Sequence, residues 1–165
     1  MNQNAGTIRG HAPCGLLRLF LRCPILVYRL RLGWILGHRF LLLTHTGRVS
    51  GLTRHTVLEV VSYKRSEQRC VIASGWGEKA QWFRNILANP SVEVTLATRN
   101  YQASARRLDT REAEHELRDY ASRHSWSFRQ LHRSMLGASF HGLDQEFHQL
   151  AVQLPLVELQ LTPAC

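Results

Sequence analysis

Two short glycine-bracketed loops carry the residue types in this chain that could do chemistry. The first is Gly47-Arg48-Val49-Ser50-Gly51. Backbone N–H groups in such a turn can form an anion-binding concavity. Arg48 adds a planar charged fork, Ser50 adds a hydroxyl donor, and Arg54 follows just past the turn. The chemistry implied is phosphate binding at the rim of a sheet; a solvated basic hairpin is the plain alternative. The second loop is Ser74-Gly75-Trp76-Gly77. Its glycines let backbone approach a ligand closely, and its indole can stack on a planar ring. It can equally be a tight turn whose Trp covers the core. Lys79 follows near a helix start, where its charge and the helix N–H groups could share an anion.

Other constellations are thin. Glu59, inside an apolar run, is either a perturbed acid or the partner of a nearby arginine. The nine histidines show no metal-ligand spacing. His45 and His55 are expected to face each other across a hairpin, yet no metal is expected. No G-x-S-x-G and no Cys–His signature supports nucleophilic hydrolysis. The basic part of the chain lacks the interleaved aromatics of a base-stacking surface, so no nucleic-acid partner is expected.

The elements that must position these loops are mostly strands. Residues 39–46 and 53–63 read as a strand pair, and 69–74 as a third strand. A helix over 78–88 has the apolar stripe Trp82, Phe83, Ile86 and Leu87, and Asn89-Pro90 stops it. Residues 91–97 and 101–108 alternate apolar and polar as strands do. Asp109 or Thr110, with Glu112 nearby, starts a helix with Ala113, Leu117, Tyr120, Ala121 and His124 on one face. Helices over 126–136 and from Gly142 or Asp144 to Pro155 follow, and 156–161 is a closing strand. Six strands joined mainly by short turns favour a small, partly open, mainly antiparallel barrel with flanking helices over a doubly wound sheet.

Charge divides the chain unevenly. The formal net charge is +9, and eight arginines precede the first acidic residue, Glu59. Such a one-sided field suits an anionic partner. Residues 1–38 form a basic amphipathic segment and residues 39–165 the barrel domain. Residues 15–38 are apolar but broken by arginine, too short in charge-free stretches to span a bilayer. They can pack on the barrel or rest on a membrane surface. Four cysteines without a C-x-x-C pair fit a reduced, cytoplasmic protein, peripheral on the inner face of the membrane if that segment binds lipid.

The run LLLTHTGRVSG, RHTVLEVV and VIASGWGEKAQWFRNILANPSVEVTL resembles the deazaflavin-dependent nitroreductase family. That resemblance implies a split β-barrel of the FMN-binding type that binds coenzyme F420, an anionic 8-hydroxy-5-deazaflavin. It implies that Arg48, Val49, Ser50 and Arg54 hold the cofactor's phosphate and the start of its acidic tail. Thr56, Val57 and Leu58 would line the ring. Gly75, Trp76, Gly77 and Lys79 would close over ring and phosphate. Trp82 and Asn85 would lock the helix and complete the pocket wall, and Tyr120 would reach the substrate side. Many relatives carry a basic residue where this chain has Val49, which leaves FMN as the alternative cofactor. The expected activity is hydride transfer from reduced F420 to a small-molecule acceptor, a quinone, enone or nitro compound. A non-catalytic carrier of flavin, deazaflavin, haem or lipid is the contrasting reading, and a homodimer is implied by the barrel type.

Overall fold

The computed structural model describes residues 38–163. The expected N-terminal segment, apart from His38, lies outside the described residues. Six strands form the body: β1 (Phe40–Thr46), β2 (Thr53–Lys64), β3 (Arg69–Ala73), β4 (Ser91–Leu96), β5 (Arg99–Arg107) and β6 (Leu156–Pro163). Every pairing is antiparallel, and the order β1-β2-β3-β6-β5-β4 closes back on β1. The barrel is therefore closed, where the strand count alone suggested a partly open one. The β1–β4 ladder closes it, pairing Leu43 with Val94. Sequence periodicity does not report such a long-range pairing.

Alternation sorts the side chains. Leu41, Leu43, Leu58, Val60, Cys70, Ile72, Val92, Val94 and Leu96 fill the interior. Burial pushes the Cys70 thiol up to about 12, so it acts as a small apolar residue. A register shift between Val60 and Ser62 bulges β2. Beyond it Val61 joins Val71 of β3 in a second core under the helices.

Among the described residues, four helices lie against the barrel: α1 (Gln81–Ala88), α2 (Thr110–Arg123), α3 (Ser125–Leu136) and α4 (Asp144–Gln153). α1 is shorter than expected, because residues Gly77–Lys79 make a separate 3-10 turn. It buries Trp82, Phe83, Asn85 and Ile86, while Leu87 is 50% exposed. Asn85 thus takes the inward place that apolarity had assigned to Leu87. α2 starts as expected: Asp109 accepts from the Glu112 N–H at 2.8 Å, and the Glu112 carboxylate accepts from the Asp109 N–H at 2.9 Å. On α2 the buried face includes Glu116, whereas His124 is exposed. Glu116 pairs with Arg69 at 2.6 Å, and Arg69 also bonds Glu158, a partnership invisible in the local pattern.

Two features tie α2 to β2. The Arg123 guanidinium donates to the Val61 carbonyl at 3.3 Å, at the bulge. Its charge is matched by Asp119 at 2.7 Å. Together they fix the end of α2 over the outer face of β2.

Candidate functional site

The loop between β1 and β2 is held from within and from α1. Gly47 N–H donates to the Leu52 carbonyl and Gly51 N–H to the Gly47 carbonyl, each at 2.8 Å. Gly51 sits at φ +66°, which favours glycine, and a Cβ on Gly47 would crowd Ser50 Oγ at 2.7 Å and the Leu52 carbonyl at 3.3 Å. Ser50 Oγ accepts from the Leu52 N–H at 3.4 Å.

Arg48 leans onto α1. Its backbone N–H donates to Asn85 Oδ1 at 3.2 Å, and its Nη1 donates to Asn85 Oδ1 and Gln81 Oε1, each at 3.0 Å. Both partners are neutral, so the clamp leaves the charge of Arg48 uncancelled. Among the described residues, Arg54 and Lys79 also have no acidic partner. Three uncompensated cations therefore sit on adjacent loops and strand ends. Val49 is 89% exposed at the tip and adds nothing to that charge.

Behind the clamp lies a buried relay. Asn85 Nδ2 donates to His45 Nδ1 at 3.3 Å. That assigns the ring proton to Nε2, which faces Thr56 Oγ1 at 3.4 Å. Burial lowers the pKa of His45, against a hydrogen bond with the Thr46 backbone that raises it, and the nearby Arg54 charge adds to the lowering. His45 does not face His55 as expected: His45 pairs with Arg54, and His55 pairs with Thr44 on the outer face. The hairpin register is one residue off the symmetric pairing, which puts the two imidazoles on opposite sides. No group of metal-ligating side chains forms among the described residues.

The second loop leads through the Gly77–Lys79 turn into α1, the helix that holds the first. Ser74 Oγ donates to the Gly77 carbonyl at 2.7 Å, and Gly77 N–H returns to the Ser74 carbonyl at 2.8 Å. Gly77 has φ +59°. Gly75 has open space at its Cβ position, and Trp76 is 63% exposed rather than covering the core. Trp82 is buried edge-on against Phe83 and anchors α1.

Strand β2 runs from these loops to a cleft. Thr56 and Leu58 turn into the barrel, Leu58 within its core, so their side chains do not line the outer face. Val57 lies on that face, half-buried, two residues before Glu59. A cleft of about 450 Å³ follows, lined by Arg39, Glu59, Val61, Tyr120, His124 and Ser127 among others. Arg54 and Glu59 lie roughly 17 Å apart along the strand, at about 3.3 Å per residue. Glu59 is exposed and takes an arginine partner: Arg39 Nε reaches its Oε1 at 3.4 Å. The Tyr120 hydroxyl donates to the same oxygen at 3.4 Å. Burial, and then the Glu59 charge, hold the Tyr120 phenol above its ordinary pKa. Sequence reading singled out Glu59 and Tyr120 separately. It missed Gln81, Arg39, His124 and Ser127, whose meeting depends on how α2 and α3 dock.

A closed antiparallel barrel with a cationic loop rim and an adjoining cleft is a scaffold suited to an anionic ligand. The family model described as F420H(2)-dependent quinone reductase matches residues 29–134, and the chain belongs to that family. It is an oxidoreductase that uses coenzyme F420. A search by sequence against curated proteins finds no match. Among solved structures, the protein Atu2129 of unknown function from Agrobacterium tumefaciens str. C58 shares the fold. It has a TM-score of 0.52 and 14% identity, over 85% of this chain and 55% of that one. An F420-H2 dependent reductase, FDR-A, aligns with a TM-score of 0.49 and 19% identity, over 74% of this chain and 95% of that one.

The residue types fit an anionic deazaflavin: Arg48, Arg54 and Lys79 without acidic partners among the described residues, an open Gly75, an exposed indole and the half-buried Val57.

Proposed function

We propose that this reductase delivers a hydride to an uncharged, quinone-class acceptor bound in the cleft between β2 and α2. The observation that carries this reading is the contrast between the two ends of β2. At the loop end, Arg48, Arg54 and Lys79 have no acidic partners among the described residues. At the cleft end, Arg39 is matched by Glu59 and Arg123 by Asp119. An anionic cofactor tail suits the first environment, and a neutral ring suits the second.

In this reading Arg48, Ser50, Arg54 and Lys79 hold the anionic end of F420, with Val49 beside them. Val57 underlies the ring, Thr56 and Leu58 reach it only through backbone, and Gly75, Trp76 and Gly77 close over it. Trp82 and Asn85 fix α1, which fixes Arg48. Reduced F420, when bound, supplies the hydride. Tyr120, held as a phenol and bonded to Glu59, turns its one proton from that carboxylate to the acceptor's oxygen when the acceptor enters. The walls of the cleft keep the two rings together and limit water. Contact of residues 15–38 with an anionic membrane surface would bring a lipid quinone within reach, and pairing of two copies belongs to the same proposal.

The test is anaerobic oxidation of reduced F420 by menadione. Turnover with one F420 oxidised per quinone is expected. Tyr120→Phe should lower kcat roughly tenfold or more while F420 affinity stays unchanged. Tight F420 binding without any quinone turnover would defeat the reading.

A further inference from the structure

Resting on the reading that the acceptor enters the cleft, we propose that Glu59 determines which acceptors are taken. Its carboxylate cancels the Arg39 guanidinium, so the cleft favours uncharged acceptors over anionic ones.

The placement supports a role in the cleft rather than in the fold. Glu59 stands on the outer face of β2, where its neighbours Val57 and Val61 are apolar. Its side chain is 45% exposed and that of Arg39 is 64% exposed, so neither fills a core. The hydrogen bond from Tyr120 fixes the carboxylate at the cleft wall. Among the described residues, the other charged or titratable groups that line the cleft have contacts of their own. His38 stacks on Tyr63, and His124 lies against Tyr120. Arg123 is matched by Asp119 and bonded to the Val61 carbonyl. Glu59 is therefore the carboxylate whose removal leaves one cleft cation, Arg39, without a counter-charge.

Glu59→Gln retains the size and an oxygen for the Tyr120 hydroxyl but removes the charge. The probes are menadione and a sulfonated naphthoquinone of similar size. Their different reactivities cancel when the ratio of kcat/KM is compared between variants. The ratio of sulfonated to neutral acceptor should rise about fivefold in Glu59→Gln, the scale of a half-exposed charge pair. The gain should lie in KM and fade at high salt. The double variant Arg39→Gln with Glu59→Gln should return the ratio to that of the parent. A merely structural role for Glu59 would lower both activities together and leave the ratio unchanged, which would overturn the proposal. Failure of the parent protein to turn over either quinone while still binding F420 would overturn the acceptor reading itself, and this proposal with it.

Discussion

Asn85 receives two hydrogen bonds from one residue: the backbone N–H of Arg48 at 3.2 Å and its Nη1 at 3.0 Å, both on Oδ1. A buried amide on α1 thus sets both the path of the loop and the direction of its charged side chain. Asn85→Ala should cost about 1–3 kcal/mol of stability, because buried His45 loses its donor and the part-buried Arg48 N–H its acceptor. F420 affinity should fall roughly tenfold, about 1.4 kcal/mol of binding. Gln81→Ala, at an exposed position, should leave stability nearly unchanged. Urea unfolding and a fluorescence titration of F420 would measure the two effects separately.

The relay behind that clamp makes the loop sensitive to acid. Burial lowers the folded-state pKa of His45 below its ordinary value of about 6.5. The sign follows: the folded state holds fewer protons on His45 than the unfolded state does. The associated stability is present above the ordinary histidine value and is lost as pH falls from there through the folded value. A protonated Nδ1 would oppose the Asn85 amide and loosen Arg48. F420 affinity and Tm should both fall as pH drops below the ordinary histidine value, before the cofactor's carboxylates are protonated. His45→Gln should flatten that dependence; an unchanged pH profile in the variant would count against the relay.

Val49 offers a gain rather than a loss. It is 89% exposed at the tip of a loop whose cations are uncompensated. Val49→Lys should leave the free energy of unfolding within about 0.5 kcal/mol of the parent. It should tighten F420 several-fold at low salt, with the advantage fading as ionic strength rises. Isothermal titration at two salt concentrations would show this.

Acid also acts on the start of α2. Arg106, and then the Asp109 N–H, hold the Glu112 carboxyl below its ordinary range. Its contribution is therefore present above the unfolded carboxylate pKa and lost as pH falls through the lower folded value. Glu112→Gln should reduce stability by about 1 kcal/mol at neutral pH through the weakened cap and ion pair, and by less in acid. Thermal melts across pH would reveal the converging curves.

Much of this was legible in residue order. The alternation over residues 91–97, the cap at Asp109 and the helix that ends before Pro155 reflect local physics, and the structure follows them. The loops at Gly47 and Gly77 announced themselves by glycine, and both contain a residue at positive φ. Local pattern could not show that Asn85 rather than Leu87 turns inward. That inversion depends on Arg48, which lies 37 positions earlier and offers Asn85 its bonds. The Arg39–Glu59–Tyr120 meeting was hidden for a similar reason. Tyr120 is 61 positions from Glu59, and their contact depends on α2 docking across the bulge of β2. The His45–His55 expectation failed because a hairpin's register is set by its turn, and one residue reverses which side a side chain occupies.

The closed β1–β4 ladder has a consequence for assembly. An open sheet presents a row of unpaired N–H and C=O groups that a second chain can extend. This ring of six strands has no such border, so a passing strand finds no template on the barrel. Two copies that associate must meet through side-chain surfaces, or else break an existing ladder and exchange a segment. Face-to-face pairs should separate on dilution, whereas exchanged pairs should persist until the barrel itself unfolds.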